Sequence, residues 1–90
     1  MKKLYIKKTK YETSYYKDPG KTILHREDGP AIEYATGTKE WYQNDLLHRL
    51  DGPAIEWADG DKEYWFENKW FQSIKTDKQW KKYLKLMKFE

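Results

Sequence analysis

Two histidines, two arginines and two aspartates recur at matched spacing along the chain: His25, Arg26 and Asp28, then His48, Arg49 and Asp51. Imidazoles with carboxylates three residues away meet a loose inventory for a metal site or for a general acid–base pair. The arginines suggest a different chemistry, a small anionic ligand such as a nucleotide held by Arg26 or Arg49 beside His25 and His48, with Trp or Tyr as a stacking plate. Recurrence argues against catalysis, because a catalytic constellation is asymmetric whereas a group required by the fold returns once per unit. The stronger reading is a network internal to each repeat, in which Asp accepts hydrogen bonds from the turn backbone or from Arg and His packs against a neighbouring Trp. The sequence has no nucleophile elbow, phosphate loop or zinc-ligand spacing, and no cysteine. The chain is accordingly read as non-enzymatic, with no metal and no cofactor assigned, and a metal-dependent hydrolase ranks last among its readings.

These residues lie in a longer repeated stretch. His25-Arg26-Glu27-Asp28-Gly29-Pro30-Ala31-Ile32-Glu33-Tyr34 returns as His48-Arg49-Leu50-Asp51-Gly52-Pro53-Ala54-Ile55-Glu56-Trp57, identical at eight of ten positions. Each copy continues through a Gly-containing turn into Lys39-Glu40-Trp41-Tyr42-Gln43-Asn44 or Lys62-Glu63-Tyr64-Trp65-Phe66-Glu67-Asn68. The offset is 23 residues as far as Lys-Glu and 24 between Trp41 and Trp65, which implies one inserted residue near Tyr64. Such a period is an architectural signal. Two-residue hairpin turns are expected at Thr36-Gly37 and Asp59-Gly60. They set Ile32 opposite Trp41, Tyr34 opposite Lys39, Ile55 opposite Tyr64 and Trp57 opposite Lys62. That register also opposes Glu33 to Glu40 and Glu56 to Glu63, an unfavourable pairing that Arg26, Arg49 and solvent must relieve. Asp28-Gly29-Pro30 and Asp51-Gly52-Pro53 read as a bulge or kink where the strand changes partner.

Outside the two copies, residues 3–7 form a candidate first strand, and Tyr15-Tyr16-Lys17-Asp18 resembles the return segment of an earlier, degenerate unit. Lys69-Trp70-Phe71-Gln72 starts a third unit that stops. Thr76-Asp77-Lys78-Gln79 fits a capping box, and Trp80, Tyr83, Leu84 and Met87 follow at helical spacing. The chain is one domain over residues 1–90: N-terminal strands and partial repeat 1–22, repeats 23–45 and 46–68, partial repeat 69–75, and helix 76–90. That helix is expected to cover the aromatic face of the sheet and cap the array, since a one-layer sheet needs a second layer.

Net charge is +3, but the ends, residues 1–22 and 69–90, each carry +5 around a body of −7. Five Trp and eight Tyr point to stability from aromatic packing over a sheet. Neither a membrane span nor a secretory leader is recognisable, so a cytoplasmic location is expected, the host cytoplasm if the chain is phage-encoded.

The unit Leu-His-Arg-x-Asp-Gly-Pro-Ala, followed by a Gly turn and Lys-Glu-Trp-Tyr-x-Asn, resembles MORN-type repeats, particularly the variant common in phage, bacterial and large-virus proteins. The resemblance covers about residues 13–72. It implies successive β-hairpins in an antiparallel, somewhat curved sheet, and with the helix read above, which lies outside the resemblance, the fold class expected is α+β: an antiparallel β-hairpin repeat sheet, a MORN-like meander, covered or capped by one C-terminal amphipathic helix. Such repeats serve as scaffolds, lipid- or protein-binding surfaces and antitoxin-like partners, so the motif speaks for fold more than function. The charge map favours protein binding through an acidic, aromatic sheet surface of Glu33, Glu40, Glu56, Glu63, Trp41 and Trp65. The partner expected is a host protein, in defence for example, blocked by a small phage-type inhibitor or adaptor. A nucleotide- or nucleic-acid-sequestering domain is the alternative. No membrane is expected as a partner, and pairing into a homodimer through an edge strand at residues 3–7 or 69–72 stays open.

Overall fold

The β-formers at the N-terminus make the first hairpin. In the computed structural model, which describes residues 3–88, β1 (Tyr5–Lys8) pairs antiparallel with β2 (Glu12–Tyr16), from Tyr5 opposite Tyr16 to Lys8 opposite Thr13. Thr9 closes the turn by accepting hydrogen bonds from the Tyr11 and Glu12 amides through its hydroxyl. The parts of the expected N-terminal segment and helix that fall on residues 1–2 and 89–90 lie outside the described residues.

Each repeat adds one hairpin to the same sheet. β3 (Ile32–Tyr34) pairs with β4 (Lys39–Glu40), and β7 (Ile55–Glu56) with β8 (Lys62–Glu63). Pairing of β2 with β3 and of β4 with β7 joins them into a six-stranded antiparallel sheet ordered β1-β2-β3-β4-β7-β8. The connecting residues form separate two-stranded hairpins, β5 (Tyr42–Gln43) with β6 (Leu46–Leu47) and β9 (Trp65–Phe66) with β10 (Lys69–Trp70).

Turn chemistry corrects the expected register. The Gly37 amide donates to the Tyr34 carbonyl and the Tyr34 amide to the Thr38 carbonyl, both at 2.9 Å, leaving three loop residues of which only Gly37 has positive φ, 106°. Trp57–Asp61 repeats this, with Gly60 at φ 98°. This is a type I turn closed by a left-handed glycine, and the extra loop residue slides the pairing by one. Ile32 therefore faces Glu40 and Glu33 faces Lys39; Ile55 faces Glu63 and Glu56 faces Lys62. None of the expected oppositions of Ile32, Tyr34, Ile55 and Trp57 forms, and neither Glu–Glu pair arises. Glu40 and Glu63 instead share a face with Ile32, Tyr34, Ile55 and Trp57, while Glu33, Lys39, Glu56 and Lys62 make a row of alternating sign on the other. Two-residue turns with both φ values positive do occur, but at Asn44-Asp45 (51° and 69°) and Glu67-Asn68 (45° and 71°).

From the first full unit onward the period is 23 residues. The His48 amide bonds the Trp41 carbonyl as the Phe71 amide bonds that of Tyr64, and the Asp45 amide bonds Leu24 as the Asn68 amide bonds Leu47. Tyr64 is thus no insertion. It stands in the place of Trp41, Trp65 in that of Tyr42, Phe71 in that of His48 and Gln72 in that of Arg49. Aromatic residues exchange freely at these positions, so matching tryptophan to tryptophan misplaces the units by one.

Asp28-Gly29-Pro30 is a loop rather than a bulge in one long strand, and the expected change of partner does not occur there. Tyr15 bonds on both sides of the loop, its carbonyl taking the His25 amide and its amide donating to the Ala31 carbonyl, while on the other flank the Arg26 and Ala31 amides donate to the Tyr42 and Glu40 carbonyls of one return segment. Ala31 and Ala54 are fully buried where these backbones meet.

α1 (Asp77–Leu86) starts with the expected capping box, Thr76 accepting from the Gln79 amide while Gln79 accepts from the Thr76 amide. It ends earlier than expected, with Met87 as C-cap, 51% exposed, and Lys88 at φ 61°. Trp80 and Leu84 are fully buried with Tyr64 and Ile74, flanked by Phe66, Phe71 and Tyr83. All of these contacts belong to the last unit, so the helix caps the array and does not cover the length of the sheet. The molecule measures 37 × 30 × 19 Å, and among the described residues this aromatic cluster contains the largest fully buried side chains, Trp80, Tyr64 and Leu84. Trp80→Ala should destabilise the chain by about 3–5 kcal/mol in urea unfolding, as expected for a large aromatic removed from a core, with early loss of the near-ultraviolet aromatic signal.

Candidate functional site

The recurrent polar residues assemble into two copies of one device. Arg49 lies with its guanidinium 3.9 Å from the Trp41 ring centroid, and Arg26 lies 4.0 Å from that of Tyr15. On the other side sits glycine: a Cβ added to Gly52 would come within 2.8 Å of Arg49 Cζ, and one on Gly29 within 3.0 Å of Arg26 Cζ. Neither glycine has positive φ, so it is the guanidinium plane, not the backbone, that asks for glycine. In the second copy Arg49 Nε donates to Asp51 at 2.8 Å, and its Nη1 donates to the Pro53 carbonyl and to Glu56, both at 3.1 Å. Arg26 does the same with Asp28 (3.2 Å), the Pro30 carbonyl (3.2 Å) and Glu33 (2.9 Å). Asp28 and Asp51 are both 85% exposed, so their ion pairs add less than about 1 kcal/mol each. The stacked cation, only about a fifth exposed, is worth up to about 2 kcal/mol.

The histidines serve the next turn. His25 Nδ1 accepts the Asn44 amide and His48 Nδ1 the Glu67 amide, each at 3.0 Å. Both amides open the left-handed two-residue turns. An amide can only donate, so Nδ1 must be unprotonated and the ring proton sits on Nε2, which in His25 faces Glu27 at 3.2 Å. His48 packs edge-on against Phe66 with centroids 4.8 Å apart. Burial pulls its pKa below the usual imidazole value of 6.5, more than the nearby Glu67 raises it.

A third recurrent contact uses Glu40 and Glu63. Glu40 accepts from the Tyr42 hydroxyl at 2.9 Å and also bonds Tyr34; Glu63 accepts from Trp65 Nε1 at 3.0 Å and Trp57 Nε1 at 2.8 Å. Burial, reinforced by the Glu40 carboxylate, pushes the Tyr42 hydroxyl well above the ordinary phenol range.

Every candidate site residue thus enters a contact inside the array. Glu33 and Glu56 hold the arginines, Glu40 and Glu63 accept from aromatic donors, Trp41 lies under Arg49, and Trp65 stacks on Trp70 at 6.0 Å and 7°. The four glutamates do not form one acidic face. Among the described residues no group of three or more His, Asp or Glu is gathered as for a metal ion, and no buried side-chain nitrogen or oxygen lacks a partner. No described helix is long and apolar enough to cross a membrane.

Known families, curated proteins and solved structures gave no match.

Side chains absent from the candidate set gather at the C-terminal end of the sheet. Trp57 and Trp70, 42% and 44% exposed, border a groove of about 530 Å³ with Gly60, Asp61, Lys62, Glu63 and Lys75. The signal was present in the sequence, since Trp57 replaces Tyr34 and Trp70 replaces Leu47 once the 23-residue period is kept.

Gly52→Ala should cost about 1–3 kcal/mol by overpacking the guanidinium. In an Arg49→Ala background most of that cost should vanish; a double-mutant cycle in urea measures it. Because the folded pKa of His48 lies below its unfolded value, its contribution to stability is complete above about pH 6.5 and is lost as pH falls through the folded value. His48→Asn, whose Oδ1 can take the same amide without titrating, should flatten the decline in unfolding free energy between about pH 7 and 5.

Proposed function

We propose that the chain is a non-enzymatic protein-binding module, an inhibitor or adaptor, and that its contact surface is the Trp57–Trp65–Trp70 patch beside β8. The observation that carries this reading is the exposure of two indoles on one groove, Trp57 at 42% and Trp70 at 44%. Their neighbours hold them: Glu63 receives both Trp57 Nε1 and Trp65 Nε1, and Trp65 stacks on Trp70. Rings fixed before binding lose little entropy when a partner covers them, and Trp is the residue richest in interface energy.

On this reading the contact lies away from Glu33, Glu40 and Glu56, which are occupied within the array, and Glu63 enters it as the acceptor that holds the indoles. The anion-binding alternative loses support for a parallel reason, since Arg26 and Arg49 spend Nε and Nη1 on their own loops. A meander of antiparallel hairpins supports the MORN-like assignment. The host-directed, phage-inhibitor form of the reading rests on that resemblance alone.

A displayed peptide library panned against the full chain tests the proposal. Enriched binders should lose at least about tenfold in affinity on Trp57→Ser or Trp70→Ser, with the circular dichroism of each variant unchanged. Binders indifferent to both substitutions, or a stoichiometric nucleotide released by Arg26→Ala or Arg49→Ala, would refute it.

A further inference from the structure

Two strands of the six-stranded sheet have one unpaired side, β1 and β8. β8 stands to the second unit as β4 does to the first, Lys62-Glu63 repeating Lys39-Glu40. β4 is covered: β7 lies on it with Glu56 opposite Lys39 and Ile55 opposite Glu40, while the Ala54 carbonyl takes the Trp41 amide at 2.7 Å. The chain therefore contains its own picture of the strand that fits β8. A third unit would supply that strand, but Phe71 and Gln72 replace the His-Arg pair and the chain turns into α1.

We propose that β8 is a strand-addition site for an extended, antiparallel segment of a partner protein with the order small, aliphatic, acidic, as Ala54-Ile55-Glu56 has on β4. The proposal rests on the protein-binding reading above and names the partner's chemistry. Both residues of β8 line the groove, and Trp57 and Trp70 border it, available to an aliphatic residue. Lys62 and Lys75 line the same groove and complement an acidic residue. Glu63 accepts from two indoles, which lowers its repulsion of an incoming carboxylate. Tyr64, the next residue along, is fully buried, so the ladder is short and the side chains in the groove decide affinity. A second copy of the chain fits poorly. Its free strand β1 reads Tyr5-Ile6-Lys7-Lys8, and placing Ile6 opposite Glu63 sets Lys7 against Lys62, a like-charge pair.

The test uses a blocked synthetic peptide with the sequence of residues 29–35, Gly-Pro-Ala-Ile-Glu-Tyr-Ala, which lacks Trp and leaves the protein's own fluorescence as a readout. Titrated into the full chain, it should move the backbone amides of residues 61–63 and the indole signals of Trp57 and Trp70 in a saturable way. The same peptide with Lys in place of Glu should bind at least about tenfold more weakly, and Lys62→Glu should reverse that preference. Three results overturn the proposal: no saturable shift, equal binding of the two peptides, or self-association of the chain that moves the Lys62 amide in the absence of peptide. Shifts of both indoles with the Lys62 amide unmoved overturn strand addition while leaving the protein-binding reading in place.

Discussion

The arginine stacked between an aromatic ring and a glycine is the contact on which the units depend. Its plane needs a flat ring below, supplied by the preceding unit, and a residue without a side chain above, supplied three positions later in its own unit. Its Nε and Nη1 then draw in the aspartate of the loop, the proline carbonyl and the glutamate of the following strand. One side chain thereby fixes the loop shape, the start of the strand and the distance between units. The helix uses this arrangement too, since Trp80 Nε1 donates to the Arg49 carbonyl at 3.0 Å. The terminal cap is hung on the last clamp.

Polar groups in this protein are mostly spoken for. A thin sheet cannot hide carboxylates among aliphatic side chains, so the acidic residues beside the strands are given donors: a guanidinium for Asp28, Glu33, Asp51 and Glu56, phenols for Glu40 and indoles for Glu63. That explains how a body with a large negative balance folds at all, and why its charge is a poor guide to where a partner sits. What remains open is set by where the pattern stops. At the end of the second unit Glu63 is still satisfied, but Trp57, one of its two indole donors, faces solvent and the outer side of β8 has no strand beside it.

The repeat, the hairpins, the helix and its capping box were legible in the sequence because each is signalled by local residues: glycine in the turns, Thr76 with Gln79, and apolar residues at helical spacing. The reading of Asp28 and Asp51 as acceptors for Arg also agrees with the structure. Register was not legible, because Thr36-Gly37 and Asp59-Gly60 suit both a two-residue turn and the second half of a three-residue one. Only the backbone angles decide between them, and that single residue moves Glu40 and Glu63 to the other face. The second error had a different cause. Tyr64-Trp65 differs from Trp41-Tyr42 by an exchange of two large aromatic residues, and identity alone aligned the wrong pair. With that shift Trp70 fell against Leu46 in place of Leu47, and its significance was lost. The partner of each histidine was hidden for a third reason, as a backbone amide leaves no trace in the side-chain sequence.

A period held by contacts between adjacent units also restricts how such a chain can change length. Insertion of one residue between Trp57 and Glu63 would shift an imidazole from its turn and a glutamate from one of its indole donors in a single step. Insertion of a whole unit would break none of these, because the new arginine would find the ring of the old unit and the next turn would find the new histidine. The lineage of such a protein should therefore vary in whole units, with short and long forms sharing the same cap.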